Sequence, residues 1–287
     1  MASKLTLTGE QIDCYQRDGA ILLRGVLDER EQALLADGVE ESFSNPGKRA
    51  TRASDKEGEG MTFLESFPSL NSPALQTLLE TSCIPEIAAR MMRAPSAQLI
   101  LDQIFYKQHG RVIPTPWHQD TPYLRVRGDE MVRVWITADE SPREISLQIV
   151  RGSHRWNVIY NPRLGGRDGH IRKTGEGKML KMSAQESTAP EVPDIERFRD
   201  SFDILNWDVA PGDALVFHGN MLHAAGGADD YPGDRRAYTS MWGGPNLQYV
   251  VPGDGAIPTL AQINGFDVPD GARIGDHPDA FPLGWQA

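Results

Sequence analysis

The apolar positions of this chain change rhythm about a third of the way along. Near the N-terminus they recur at helical spacing. Thr8 and Gln11 form a capping-box pattern that predicts a short helix ending at Asp18-Gly19. The run "AILLRGVL" is short and continuous, as a strand is. Asp28 with Glu31 opens a second helix, which places Leu34, Leu35, Val39 and Phe43 on one face and ends near Asn45-Pro46. Residues 46–62 are polar and glycine-rich and read as a mobile loop. Ser72-Pro73 opens a further helix, because proline suits the first helical position.

From about residue 97 the pattern is that of strands. "QLILDQIFYKQ", "MVRVWITAD", "ISLQIV", "DALVFHG" and "RRAYTSMWGG" are short, rich in β-branched and aromatic residues, and separated by Pro-Gly and Gly-rich turns. The pattern predicts a sandwich or barrel, with helices mainly in the first third. A polar insertion at residues 157–205 is expected to act as a lid or to be disordered. Its first half is basic (Arg163, Arg167, Arg172, Lys173, Lys178, Lys181) and reads either as an attraction for an anionic substrate or as a solvated surface loop; its second half is mostly acidic. No linker divides the chain, so residues 1–287 are expected to form one domain.

Composition narrows the function classes. The net charge of -11 argues against nucleic acid and anionic membranes as partners. Two cysteines, Cys14 and Cys83, are too few for a disulfide framework and suit a reducing cytoplasm. The start "MASKLTLTGEQ" lacks the apolar stretch of a signal peptide, and no apolar run approaches the roughly 18 residues of a membrane span. Dinucleotide, P-loop, serine-hydrolase and zincin motifs are missing from the sequence.

The candidate chemistry lies in "PWHQDTP", residues 116–122. Pro114, Pro116 and Pro122 argue against helix, and on an extended strand His118 and Asp120 project from one face. One imidazole and one carboxylate could then share a metal. A second such spacing, "HPD" at 277–279, has no histidine after it and reads as a loop. A 2-His-1-carboxylate site needs a third ligand and leaves positions open for substrates. "PGDALVFHGNMLHAAGG" offers His218 and His223, which point opposite ways on one continuous strand, so only one qualifies. His223 is better placed, beside small residues that leave room; His218 reads as packed or supporting. Downstream, Arg235 and Arg236 lie on opposite faces of the next strand. An arginine turned into a barrel needs an anion, and a carboxylate matches its planar fork. Otherwise both are solvated at the strand start.

In this order, "YQRDGAILLRGVL", "QIFYK", "WHQDTPY", "RVWITAD", "RGSHRW", "PGDALVFHGNMLHAAGG" and "RRAYTS" span most of residues 9–243. The set resembles the phytanoyl-CoA dioxygenase family of iron(II)/2-oxoglutarate-dependent oxygenases. The resemblance implies a mainly β fold with flanking helices around a double-stranded β-helix, or jelly-roll, core. It implies Fe(II) held by His118, Asp120 and His223, with 2-oxoglutarate and O2 as cosubstrates. It assigns the far carboxylate of 2-oxoglutarate to Arg235, with Arg236 as the alternative, and places Gln103 and Trp135 near it. Lys107 is typical of the family at its strand end. Departures from the family pattern are Ala224-Ala225 after the distal histidine, Glu144-Ile145 before the "GSH" turn, and Arg151 for a proline. The implied reaction is hydroxylation of an unactivated C–H in a small molecule, with release of succinate and CO2; desaturation and ring closure use the same oxidant. Tyr106, Trp117, Tyr123 and Trp156 are candidate pocket aromatics. The rivals are a non-enzymatic jelly-roll binding module and a cupin-like metalloenzyme that needs no 2-oxoglutarate.

Overall fold

The computed structural model describes residues 7–54, 59–161, 172–174 (backbone), 189–251 and 258–287. Two antiparallel sheets face each other. The larger runs, neighbour to neighbour, through Ala20–Leu23, Ala214–His218, Met131–Thr137, Arg235–Gly243, Ser96–Lys107, Thr62–Ser66, Ala50–Ser54 and Arg172–Thr174. Leu283–Gln286 pairs with the start of Ser96–Lys107. The smaller sheet runs Ile204–Asn206, Leu147–Val150, His223–Ala225 and Thr115–His118. The sandwich expected from the strand pattern is present, as the jelly-roll core that the family resemblance implies.

The two faces of the large sheet have different duties. Along Met131–Thr137 every residue is buried, because both faces are covered. Val132, Val134 and Ile136 join Ile104, Tyr238 and Trp242 in a core capped by helices Gly9–Asp18, Glu29–Ser44, Pro73–Thr81 and Ile84–Met92. Leu35 and Val39 of the second helix are fully buried there, with Leu34 and Phe43 packed alongside. The other face carries Trp135, Leu215 and Ala237, which meet Leu147, Ile149 and Ala225 of the small sheet. The functional groups described below lie at one end of this inter-sheet space.

Local signals behave as their chemistry dictates. Thr8 and Asp28 cap their helices with complete capping boxes, and Ser72 Oγ accepts from Leu75 N. The strand expected over "AILLRGVL" stops at Leu23: Gly25 turns at φ +59°, and Arg24 swings out to Asp213 Oδ2 at 2.6 Å. The loop expected at 46–62 is corrected to a strand pair, Ala50–Ser54 against Thr62–Ser66. The polar run tolerates strand because Arg52 lays its guanidinium over the Phe43 and Phe63 rings, 5.0 and 5.2 Å from their centres.

Much of the 157–205 insertion, including most of its basic half, lies outside the described residues, and the expected lid with it. Its final part packs on the outer face of the small sheet. There Ile195 joins Trp117, Val150, Leu222 and Ala224, and Trp117 Nε1 donates to Glu196 Oε1 at 2.7 Å. Among the described residues no helix is long and apolar enough to cross a membrane.

Gly226 and Gly227 owe their identity to close backbone approach. A Cβ on Gly226 would run into the Glu144 carbonyl, and one on Gly227 would meet Val112 O at 2.6 Å. The room expected beside His223 is therefore filled by neighbouring backbone. Gly226→Ala should cost about 2 kcal/mol or more in urea unfolding. Gly9→Ala, whose added methyl meets nothing, should change stability by no more than about 0.5 kcal/mol.

Candidate metal centre and its charged floor

His118 is the last residue of Thr115–His118, and strand pairing sets it directly opposite His223. The two rings lie 4.2 Å apart, centre to centre. Asp120 follows two residues later, but the strand does not reach it. Its backbone is helical, φ -81° and ψ -36°, and it caps the short helix Thr121–Leu124, which accepts Pro122 in its first turn. The expected extended segment across both residues is thus corrected, although the side chains still converge. Asp120 Oδ1 stands 3.9 Å from His118 Nε2 and 3.8 Å from His223 Nε2. The three donor atoms all lie within 4.8 Å of one another, and among the described residues no other cluster of histidine, cysteine and acid side chains does this.

Backbone carbonyls set the histidine tautomers. His118 Nδ1 donates to Pro116 O at 2.8 Å, and His223 Nδ1 to Met221 O at 3.0 Å. A carbonyl only accepts, so each Nδ1 carries the proton and each Nε2 presents a lone pair inward. Burial holds both rings neutral, with His223 pushed down to about 3 by burial and then by its neighbour His118. Burial alone would raise the Asp120 carboxyl; the Arg133 charge is the largest influence that opposes it, and the carboxyl stays below its ordinary value. Two neutral imidazoles and one carboxylate form a donor set suited to iron(II). The His118 side chain is 13% exposed, against 6% for His223 and 7% for Asp120, so the centre opens on the His118 side.

The turn before His223 is held on several sides. Leu222 N donates to Ser153 Oγ at 2.9 Å in the "GSHRW" turn, and Val150 N donates to Leu222 O at 2.9 Å. Arg151, which stands where the family pattern has proline, bridges Asp18 and Asp203 at 3.0 and 2.8 Å. His218 ends a strand of the large sheet, whereas His223 begins one of the small sheet. No continuous strand joins them, so their odd spacing does not decide between them. What decides is that His218 is satisfied elsewhere: Nε2 donates to Asp129 O at 2.8 Å and Nδ1 accepts from Asn220 N at 3.0 Å.

The floor of the centre is the large sheet. Arg235 and Lys107 are cross-strand partners, each only 2% exposed. Arg235 donates through Nη1 to Ile145 O, and among the described residues its Nε has no partner. Lys107 Nζ donates to Ile113 O and, at 3.1 Å, to Thr115 Oγ1. Among the described residues neither cation has a carboxylate partner. Burial pushes Arg235 down to about 10, and burial and then the Arg235 charge pull Lys107 well below its ordinary value. Arg236, on the opposite face, is already engaged by Asp139 through Nη2 at 2.7 Å and Nε at 3.1 Å. Gln103 donates to Ser66 Oγ at 3.2 Å, and Trp135 is buried between the sheets.

Arg133 is absent from the sequence expectations. It is buried on the Trp135 face of Met131–Thr137, and its Nη1 lies 2.8 Å from Asp120 Oδ2. The two groups form a buried ion pair, and among the described residues Oδ2 has no other partner. A single charge in an otherwise apolar strand, two residues before Trp135, is the signal that could have found it. Of the candidate aromatics only Tyr123 approaches the triad, its ring centre 6.4 Å from that of His118. Trp117 packs on the outer face of the small sheet, Tyr106 donates to Asp234 Oδ2 at 2.7 Å on the helix side, and Trp156 is exposed beside Phe202.

The comparisons agree with this architecture. The carbocyclase SnoK of nogalamycin biosynthesis shares 21% identity over 96% of each chain, with a TM-score of 0.70. EctD from S. alaskensis shares 15% over 90% of this chain and 85% of its own, with a TM-score of 0.64. AviO1 from Streptomyces viridochromogenes Tue57 shares 18% over 86% of this chain and 99% of its own, with a TM-score of 0.61. At these identities the likeness is one of fold. No curated protein sequence matches the chain. The family model described as phytanoyl-CoA dioxygenase (PhyH) matches residues 15–230, a span that contains the whole triad, and the chain therefore belongs to that family of iron(II)- and 2-oxoglutarate-dependent oxygenases.

Proposed function

We propose that His118, Asp120 and His223 hold the iron, that Arg235 with Lys107 beside it takes the far carboxylate of 2-oxoglutarate, and that the enzyme hydroxylates an unactivated C–H bond of a small molecule. The observation that carries the reading is the triad: two Nε2 lone pairs and one carboxylate oxygen facing a common point from one side. Three protein donors leave the rest of an octahedral metal open. Iron with its cosubstrate supplies an oxidant able to remove hydrogen from carbon, releasing succinate and CO2.

The residues do the positioning. Two buried cations that lack a carboxylate partner among the described residues are costly, and an incoming dianion offsets that cost. Arg235 has the planar fork to take a carboxylate in bidentate fashion, and its unpartnered Nε is a donor still available. Gln103 and Trp135 lie on strands flanking Thr239, between Arg235 and the triad, as a polar contact and an apolar wall that excludes water. Substrate reaches the centre on the open side of His118, with Tyr123 edge-on to that ring.

A second reading is favoured by the structural neighbours. SnoK is described as a carbocyclase and SnoN as an epimerase, both dependent on alpha-ketoglutarate. The same triad serves either outcome; the pose of the substrate decides.

Iron(II) and 2-oxoglutarate added without oxygen should give a weak visible charge-transfer band that His118→Ala abolishes. A binding module, or a metalloenzyme without 2-oxoglutarate, gives none. Arg235→Ala should weaken 2-oxoglutarate binding on the order of 100-fold in calorimetry, as loss of a buried charge partner does. Arg236→Ala, already spoken for by Asp139, should leave it within about threefold. Equal affinities in the two variants contradict the clamp assignment. Screened compounds that stimulate succinate release would identify the substrate, and the product's mass separates hydroxylation from ring closure or epimerisation.

A further inference from the structure

We infer that Arg133 is a positioning residue that fixes the denticity of Asp120, so that the carboxylate gives the metal one oxygen and not two. The inference rests on the reading of His118, Asp120 and His223 as the iron site. A buried guanidinium is tolerated only when its donors are met, and those of Arg133 are met on three sides. Nε donates to Thr239 Oγ1 at 2.7 Å, Nη2 donates to Gln103 Oε1 at 2.6 Å, and Nη1 stands 2.8 Å from Asp120 Oδ2. Thr239 and Gln103 are themselves cross-strand partners, so the fork is anchored to the sheet and does not follow the carboxylate. Its guanidinium also lies over the Phe105 ring, 5.9 Å from the centre.

The consequence falls on Asp120. One oxygen faces the two histidines and the other faces Arg133. Among the described residues Oδ2 has no partner other than Arg133. Remove the guanidinium, and the nearest charge to that buried anionic oxygen is the metal itself. The carboxylate would then turn to chelate, raising the protein donors from three to four and lowering the open positions of an octahedral ion from three to two. Two positions cannot accept a chelating 2-oxo acid and one further ligand. Arg133 thus preserves the vacancy that the oxygenase reaction requires, without touching the metal.

The test counts metal-bound water with Mn(II) as probe, by pulsed electron paramagnetic resonance of the whole protein in isotopically labelled water, without 2-oxoglutarate. Wild type should show three waters and Arg133→Met two. Arg133→Lys, which keeps a cation for Oδ2 on a single prong, should restore three. If Arg133→Met does not fold, Arg133→Gln, too short to reach Asp120, should also show two. Three waters in the wild type and three in the folded neutral variant would overturn the inference while leaving the iron site intact, as would two in the wild type. A wild type that binds no Mn(II) overturns the iron-site reading, and this inference with it.

Discussion

Everything at this centre depends on one strand pairing. His223–Ala225 lies antiparallel to Thr115–His118, and the register makes the two histidines direct partners across the edge of the small sheet. Side chains at such positions are separated by the width of one ladder, close enough for two imidazoles to reach one ion. The pairing brings together residues that are remote in the chain, and the "GSHRW" turn and the backbone packed against Gly226 keep it in place. Asp120 joins because the chain turns sharply just after the strand ends.

The charges follow from what the sheet buries. Lys107, Arg235 and Arg133 stand on three neighbouring strands of the large sheet, all on the face turned toward the small one. Arg133 is matched by Asp120; the other two lack any carboxylate among the described residues. In a dry space, where electrostatic forces are weakly screened, an unmatched pair of cations is a strong and specific attraction for a small dianion. The fold therefore keeps two chemistries apart: the small sheet and the turn after it bring together donor atoms that could hold a metal, and the large sheet carries the buried positive groups.

Much of this was legible in the sequence, for identifiable reasons. The cap residues Thr8, Asp28 and Ser72 announced their helices because capping is local chemistry. The β core was visible in short apolar runs between glycine and proline turns. His118, Asp120 and His223 could be paired from their order in the chain, but the geometric reasons given for them were only partly right. Asp120 is helical, not extended, because Pro122 is tolerated in the first turn of a helix. His218 and His223 occupy different sheets, so strand parity does not apply to them. Arg133 escaped notice because its significance comes from Asp120, Gln103 and Thr239, partners that only the strand registers supply. The difference between Arg235 and Arg236 likewise came into view only with Asp139, beyond the neighbouring strand's end, which engages Arg236.

X-ray absorption at the iron edge of anaerobically loaded protein tests the central claim most directly. One iron per chain is expected, with scattering from two imidazole rings and oxygen donors, reduced to one ring in His223→Ala. Iron that shows no imidazole scattering, or that keeps both rings after that substitution, would contradict it.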